Sequence, residues 1–170
     1  AEGVALILRE DDGDTPTLTV RGAAGQQSQV VQRWRRLPLD ASTPAGYAVL
    51  SGAPVYVGST AEARQRFPAM FRVPSTLTQH AWAAVPLRAG GVVIGALGVG
   101  FGQERDFPPA ERRFLETVAD QCALAVERAR LTIGPPAGDG LLARLMPAGG
   151  VTVPLTVAVQ WSADGLRFTG

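Results

Sequence analysis

Residues equipped for chemistry are few in this chain. His80 is the sole histidine and Cys122 the sole cysteine. Nucleophilic catalysis needs a base held beside its nucleophile, and one imidazole gives that pairing little to work with. No serine sits in a Gly-x-Ser-x-Gly elbow, and Ser51-Gly52 closes a helical stretch ahead of a strand, the reverse of that elbow's order. Zinc sites need clustered ligands, which one His and one Cys do not supply. A lone histidine is also a poor candidate for an axial haem ligand, so no metal and no cofactor is expected. The acidic run Glu10-Asp11-Asp12-Gly13-Asp14 lacks the spacing of a calcium loop and reads as a solvated hairpin tip. Gly95, Gly98, Gly100 and Gly102 do not form a Gly-x-Gly-x-x-Gly turn before a helix. They read as a strand approached closely by another backbone. The expectation is a protein that is not an enzyme.

Composition narrows the remaining classes. With 170 residues, 46% hydrophobic and 18% charged, the chain can bury one sizeable core and carry a short appendage. A formal charge of +1 argues against a surface that tracks nucleic-acid phosphates. All 16 basic residues are arginine, and neither lysine nor asparagine occurs. Both absent residues have AT-rich codons, so a GC-rich bacterial genome explains the bias. Arg33-Trp34-Arg35-Arg36 accordingly reads as a solvated face. A single cysteine excludes an internal disulfide, and no run of eighteen apolar residues offers a membrane span. Ala1-Glu2-Gly3 lacks the regions of a signal peptide, so the cytoplasm is the expected location. Opening almost directly in a strand suggests a fragment of something longer.

The elements that must position any site follow from periodicity. Val4 to Leu8 and Thr17 to Val20 flank the acidic turn, so residues 3–22 read as a hairpin. Gln26 to Leu37 has apolar residues at helical spacing and fits either a helix or a packed loop. Asp40 to Ser51 reads as a helix capped by Ser42 or Thr43, with Pro44 in its first turn and Gly52 at its end. Pro54 to Val57 is a short strand. Ser59 or Thr60 caps a second helix reaching about Phe71, broken near Pro68. Trp82 to Leu87 and Val92 to Val99, joined through Gly90-Gly91, form the strongest hairpin signal. Residues 108–131 carry the strongest helix signal, with Phe114, Leu115, Val118, Cys122, Ala125, Val126 and Ala129 at threes and fours. Residues 132–140 are a linker by composition. Beyond it come a short helix around 141–145 and a hairpin from Val151–Trp161 and Leu166–Phe168.

That order is α+β, and its residues resemble a family. Pro38-Leu39-Asp40 followed by Pro44, then Ala48-Val49, Ser51-Gly52 and Pro54-Val55-Tyr56, look like the middle of a GAF domain. Ala84-Val85-Pro86-Leu87, Val93 through Val99, Phe107 through Phe114-Leu115, and Val118 through Arg130 resemble its closing signature. The resemblance covers 3–131, with 1–131 as a GAF-like sensory domain and 141–170 as the start of a following one. It implies a GAF-like six-stranded antiparallel sheet with helices on both sides, a ligand pocket on one face and a helical layer that often dimerises on the other. The helix that usually precedes the first strand in that family is missing here. Leu141-Leu142-Ala143-Arg144-Leu145-Met146-Pro147, Val153-Pro154 and Val157-Ala158-Val159 faintly resemble the entry to serine/threonine phosphatases of the bacterial sporulation class, without their metal-binding acidic motif.

The resemblance also sets the candidate site. Methionine sulfoxide reductases of this fold use several cysteines, and Cys122 is alone. Bilin-binding relatives attach pigment through a cysteine that is not on the terminal helix. The asparagine-bearing cyclic-nucleotide signature cannot occur without asparagine. In the strand from residue 80 to 87, alternation puts His80, Trp82, Ala84 and Pro86 on one face and Ala81, Ala83, Val85 and Leu87 on the other. The first set reads as the pocket side, and the segments at 40–71 are expected to bring Tyr47, Tyr56, Phe67, Met70 and Phe71 to it. The function so implied is non-catalytic sensing of a small molecule of unidentified class in bacterial signal transduction. A homodimer would form through Leu115, Val118, Cys122 and Val126, and an output domain would follow in the parent protein. The alternative is a structural or dimerisation module whose pocket is filled by its own side chains.

Overall fold

The computed structural model describes residues 3–11, 15–25, 35–71, 78–130, 158–162 and 165–169. Its backbone divides into two compact units, Ala1–Ala123 and Leu124–Gly170.

The first unit is built on a six-stranded sheet in the order β3-β2-β1-β6-β5-β4, with every neighbouring pair antiparallel. Strands β1 (Gly3–Glu10) and β2 (Thr17–Ala24) make the first hairpin, with a bulge at Leu6/Ile7. Strands β5 (Ala81–Ala89) and β6 (Val92–Phe101) make the second, turning at Gly90 and Gly91, both at positive φ. The edges are three-residue strands, β3 (Arg36–Pro38) and β4 (Val55–Val57). Strand β3 departs from the sequence reading, which left Gln26 to Leu37 as helix or loop. Leu37 pairs with Leu18 across β2, and residues 26–34 lie outside the described residues. Apolar spacing over so short a stretch does not separate a three-residue edge strand from helix, and pairing with β2 decides it.

Helix α1 (Pro44–Ser51) is capped by Thr43, whose hydroxyl accepts from the Gly46 amide at 3.1 Å. It ends at Gly52, whose φ of 66° suits a residue without Cβ and whose amide donates to the Ala48 carbonyl at 2.9 Å. Helix α2 (Thr60–Arg66) is capped by Ser59, which accepts from the Glu62 amide, while the Glu62 carboxylate accepts from the Gly58 amide at 2.8 Å. Proline at 68 has no N–H to continue the ladder, and the chain passes into a 3-10 turn over Pro68–Phe71. The break expected near Pro68 is thus present, dividing the segment into a helix and a turn.

Register assigns the two faces. Ala5, Ile7, Trp82, Ala84, Ala96 and Gly98 share one, and α1 lies over β5 and β6 on that side. Two apolar clusters form there. Ala48, Val57, Ala63, Phe67, Met70 and Trp82 belong to one; Ala45 and Val49 of α1 join Ala5, Ile7, Leu18 and Ala96 in the other. Every residue from Ala81 to Leu87 is buried, so the sheet is covered on both faces. The second cover is α3 (Pro109–Arg130), reached from the sheet by Tyr56, which pairs with Ala83 and so lies on the face opposite Trp82. Leu115, Ala119, Cys122 and Ala123 are buried along α3.

In the second unit, β7 (Ala158–Ser162) pairs antiparallel with β8 (Gly165–Thr169), Val159 opposite Phe168. The linker expected at 132–140 and the helix around 141–145 lie outside the described residues. No described helix is long and apolar enough to cross a membrane.

Candidate functional site

Trp82 is the centre of the candidate site. Its position in β5 puts it opposite Val57 on one side and Gly100 on the other. Phe71 stands edge-on to it at 6.3 Å between centroids, and Phe67 and Met70 close the same cluster. Tyr47, on α1, reaches this group only at its margin: it is 44% exposed and meets the Phe67 ring edge-on at 6.3 Å. The floor beyond Trp82 is made of small residues. Gly100 pairs with Trp82, Gly98 with Ala84, and Ala5 with Gly98. The side chain of Gln79 lies over Gly100, at about 2.7–3.1 Å from where a Cβ there would stand.

Two expected site residues sit elsewhere. His80 is exposed at the entry to β5, its Nδ1 3.2 Å from the Thr60 hydroxyl at the start of α2. It is not among the residues of the Trp82 cluster. Tyr56 lies on the other face altogether, because residues alternate along β4 and its neighbours Val55 and Val57 already take the Trp82 side. Its hydroxyl donates to Glu116 at 3.1 Å, with the Arg112 carbonyl at 3.4 Å, and the Arg112 guanidinium lies 4.9 Å over its ring. Burial, and then the hydrogen bond to Glu116, push the Tyr56 phenol well above its ordinary value. Tyr56 therefore belongs to the α3 contact and not to the candidate pocket.

The α3 residues expected at a dimer surface differ in burial. Leu115 and Cys122 are buried within the chain, and burial raises the Cys122 thiol above its ordinary value. Val118 and Val126 are half-buried.

The family model of the GAF domain matches residues 1–127. The chain belongs to the GAF family. Its members are mostly regulatory ligand-binding domains of signalling proteins. No curated protein matches the sequence. Among solved structures, the chain is similar to the GAF domain of an Acinetobacter phosphoenolpyruvate-protein phosphotransferase, at 19% identity and TM-score 0.60 over 76% of this chain and 72% of that one. The GAF domain of a phosphoenolpyruvate-protein phosphotransferase from Coxiella burnetii gives 19% identity and TM-score 0.60 over 76% and 74%. A free methionine-R-sulfoxide reductase from Neisseria meningitidis, solved with its substrate, gives 20% identity and TM-score 0.60 over 76% and 69%. Identities this low establish the shared fold alone.

In this GAF domain the sequence reading missed Val55, Val57, Ala48 and Ala63, which complete the wall around Trp82. The alternation Val55-Tyr56-Val57 carried the signal, since a buried flank on each side of an aromatic points that aromatic away. Gln79 was missed because nothing in its spacing marks it. Its place follows only from Gly100 lacking a side chain. No buried residue among those described is polar or charged, so the cluster around Trp82 is an apolar wall, with the Gln79 side chain over Gly100 the polar group beside it.

Proposed function

We propose that this GAF domain is a non-catalytic sensor that takes a small, largely apolar and uncharged molecule between the sheet and the cover formed by α1, α2 and the Pro68–Phe71 turn. The observation that carries the reading is the combination on one sheet face. Trp82 and Phe71 supply an aromatic wall, and the floor beside it is lined by the small residues Gly98, Gly100, Ala84 and Ala5, with the Ile7 side chain against Gly98 and the Gln79 side chain over Gly100. Gln79 offers a neutral amide next to that floor. His80 is exposed, and its ring contact among the described residues is the Thr60 hydroxyl at the start of α2, with no third group among them orienting the pair, which supports a structural bond over a catalytic one. The parent is read as a cytoplasmic bacterial signalling protein, with the faint phosphatase likeness of residues 141–159 pointing to its output class. The proposed homodimer forms through Leu115, Val118, Cys122 and Val126, with Val118 and Val126 the half-buried members of that stripe.

A thermal-denaturation screen of the full chain against uncharged and charged metabolites tests this. A true ligand at a hundred times its Kd stabilises by about 2.7 kcal/mol, on the order of 5–10 °C in midpoint for a domain of this size. Uncharged members should give such shifts, and Trp82→Leu should abolish them. The second reading, a structural module with a self-filled pocket, is favoured by the low exposure of Trp82 (8%), Phe67 (2%) and Met70 (7%). It predicts that no metabolite moves the midpoint.

A further inference from the structure

Strand β4 is three residues long, lies at the edge of the sheet, and is paired only through β5. An edge strand held on one side is the part of a sheet that can shift at least cost to the rest. Its side chains divide between the two layers. Val55 and Val57 are buried with Ala63, Phe67 and Met70 in the cover-side cluster, while Tyr56 between them crosses to α3.

The Tyr56 connection is a set of contacts and not a single bond. The hydroxyl donates to Glu116, the ring packs against Phe107 at 5.2 Å, and Arg112 stacks over it while donating to the Phe107 carbonyl at 2.7 Å. The residues after β4 continue the link. The Gly58 carbonyl accepts from the Arg105 amide at 3.0 Å, and a Cβ on Gly58 would come within 2.9 Å of the Arg105 carbonyl. The Thr60 amide, opening α2, donates to Glu104 at 3.2 Å. Arg105 in turn bonds Glu111 in the first turn of α3 at 2.8 Å, with its guanidinium 4.2 Å over the Phe101 ring.

We infer that β4 is the mechanical link of this domain: displacement of the cover on the Trp82 side is carried through Tyr56 to Glu116 and Arg112, and so to the first half of α3 on the opposite face. The inference rests on the sensing reading for its purpose, because a ligand is what would move the cover. The connection itself is independent of any ligand. Val55 and Val57 cannot follow α2 without moving Tyr56, since all three share one short backbone. Tyr56 cannot move far without stretching its bond to Glu116 or dragging α3.

Hydrogen exchange of the full chain, read by mass spectrometry without ligand, tests the link separately from the sensing reading. Val57→Ala loosens the cover side at a fully buried position. It should raise exchange in α2 and in residues 110–119 by about threefold or more, while the β1–β2 hairpin stays near the wild-type rate. Adding Tyr56→Leu, or cutting the bond from the helix side with Glu116→Ala, should leave the α2 response intact and remove the response specific to Val57→Ala in α3. Glu116 is partly exposed on a helix, so its substitution keeps the fold available even if Tyr56→Leu does not. An α3 response unchanged by either second substitution overturns the link. So does a response in α3 that only tracks β1–β2, which reports global unfolding. A metabolite screen without hits would defeat the sensing reading and leave this result standing.

Discussion

Above pH 10, Tyr56 keeps a proton in the folded chain that the unfolded chain gives up. Burial and Glu116 raise its phenol above the ordinary 10.0, so its contribution to stability is whole below pH 10 and falls away as pH rises above it. The urea midpoint of the wild type should therefore drop more steeply between pH 10 and 11 than that of Tyr56→Phe. Parallel slopes would place the phenol in an ordinary environment. Phe67, 2% exposed under α2, should cost about 3–5 kcal/mol when cut to alanine, read as a fall in the denaturation midpoint at unchanged slope. Much at this scale was legible. Trp82 and Ala84 were assigned to one face from alternation alone, because period two is a property of the backbone and needs no partner to be known. Tyr56 was placed wrongly because it was grouped with the aromatics by segment, whereas its own strand's alternation sends it to α3. For Leu115 and Cys122, sequence alone does not separate burial within the chain from a partner surface, because an apolar helix stripe looks the same in either case.

At the scale of elements, local chemistry fixed the boundaries where side chains act on their own backbone. Thr43 caps α1, and Thr43→Ala should cost about 1 kcal/mol by leaving the Gly46 amide without its acceptor. Gly52 closes the same helix at φ 66°, and Gly52→Ala should cost about 1 kcal/mol for the left-handed conformation. Both are read from chemical denaturation, and a neutral result at either would mean that the helix end is set by packing alone. Pro68 broke the second helical segment where its missing N–H required. Strand β3 was not legible, since three residues hold no period and its partner β2 lies across a separate stretch of chain. The three-residue β4 could be read because Pro54 and Gly58 bracket it tightly.

For the whole molecule, the arrangement joins a sheet covered on both faces to a short edge strand touching both covers. The order of elements was readable from the sequence because each hairpin carries its own turn and α3 its own periodicity. The candidate site was readable only in part, since the floor of Gly98, Gly100 and Ala5 emerges from cross-strand pairing between distant segments. What the account claims above all is that a guest molecule sits against Trp82. Replacing Trp34 and Trp161 by phenylalanine leaves Trp82 as the sole indole, and its emission can then be titrated with any metabolite that raises the denaturation midpoint. A saturable change in emission with the same Kd as the stabilisation is the predicted result. Stabilisation that leaves Trp82 emission untouched would contradict it.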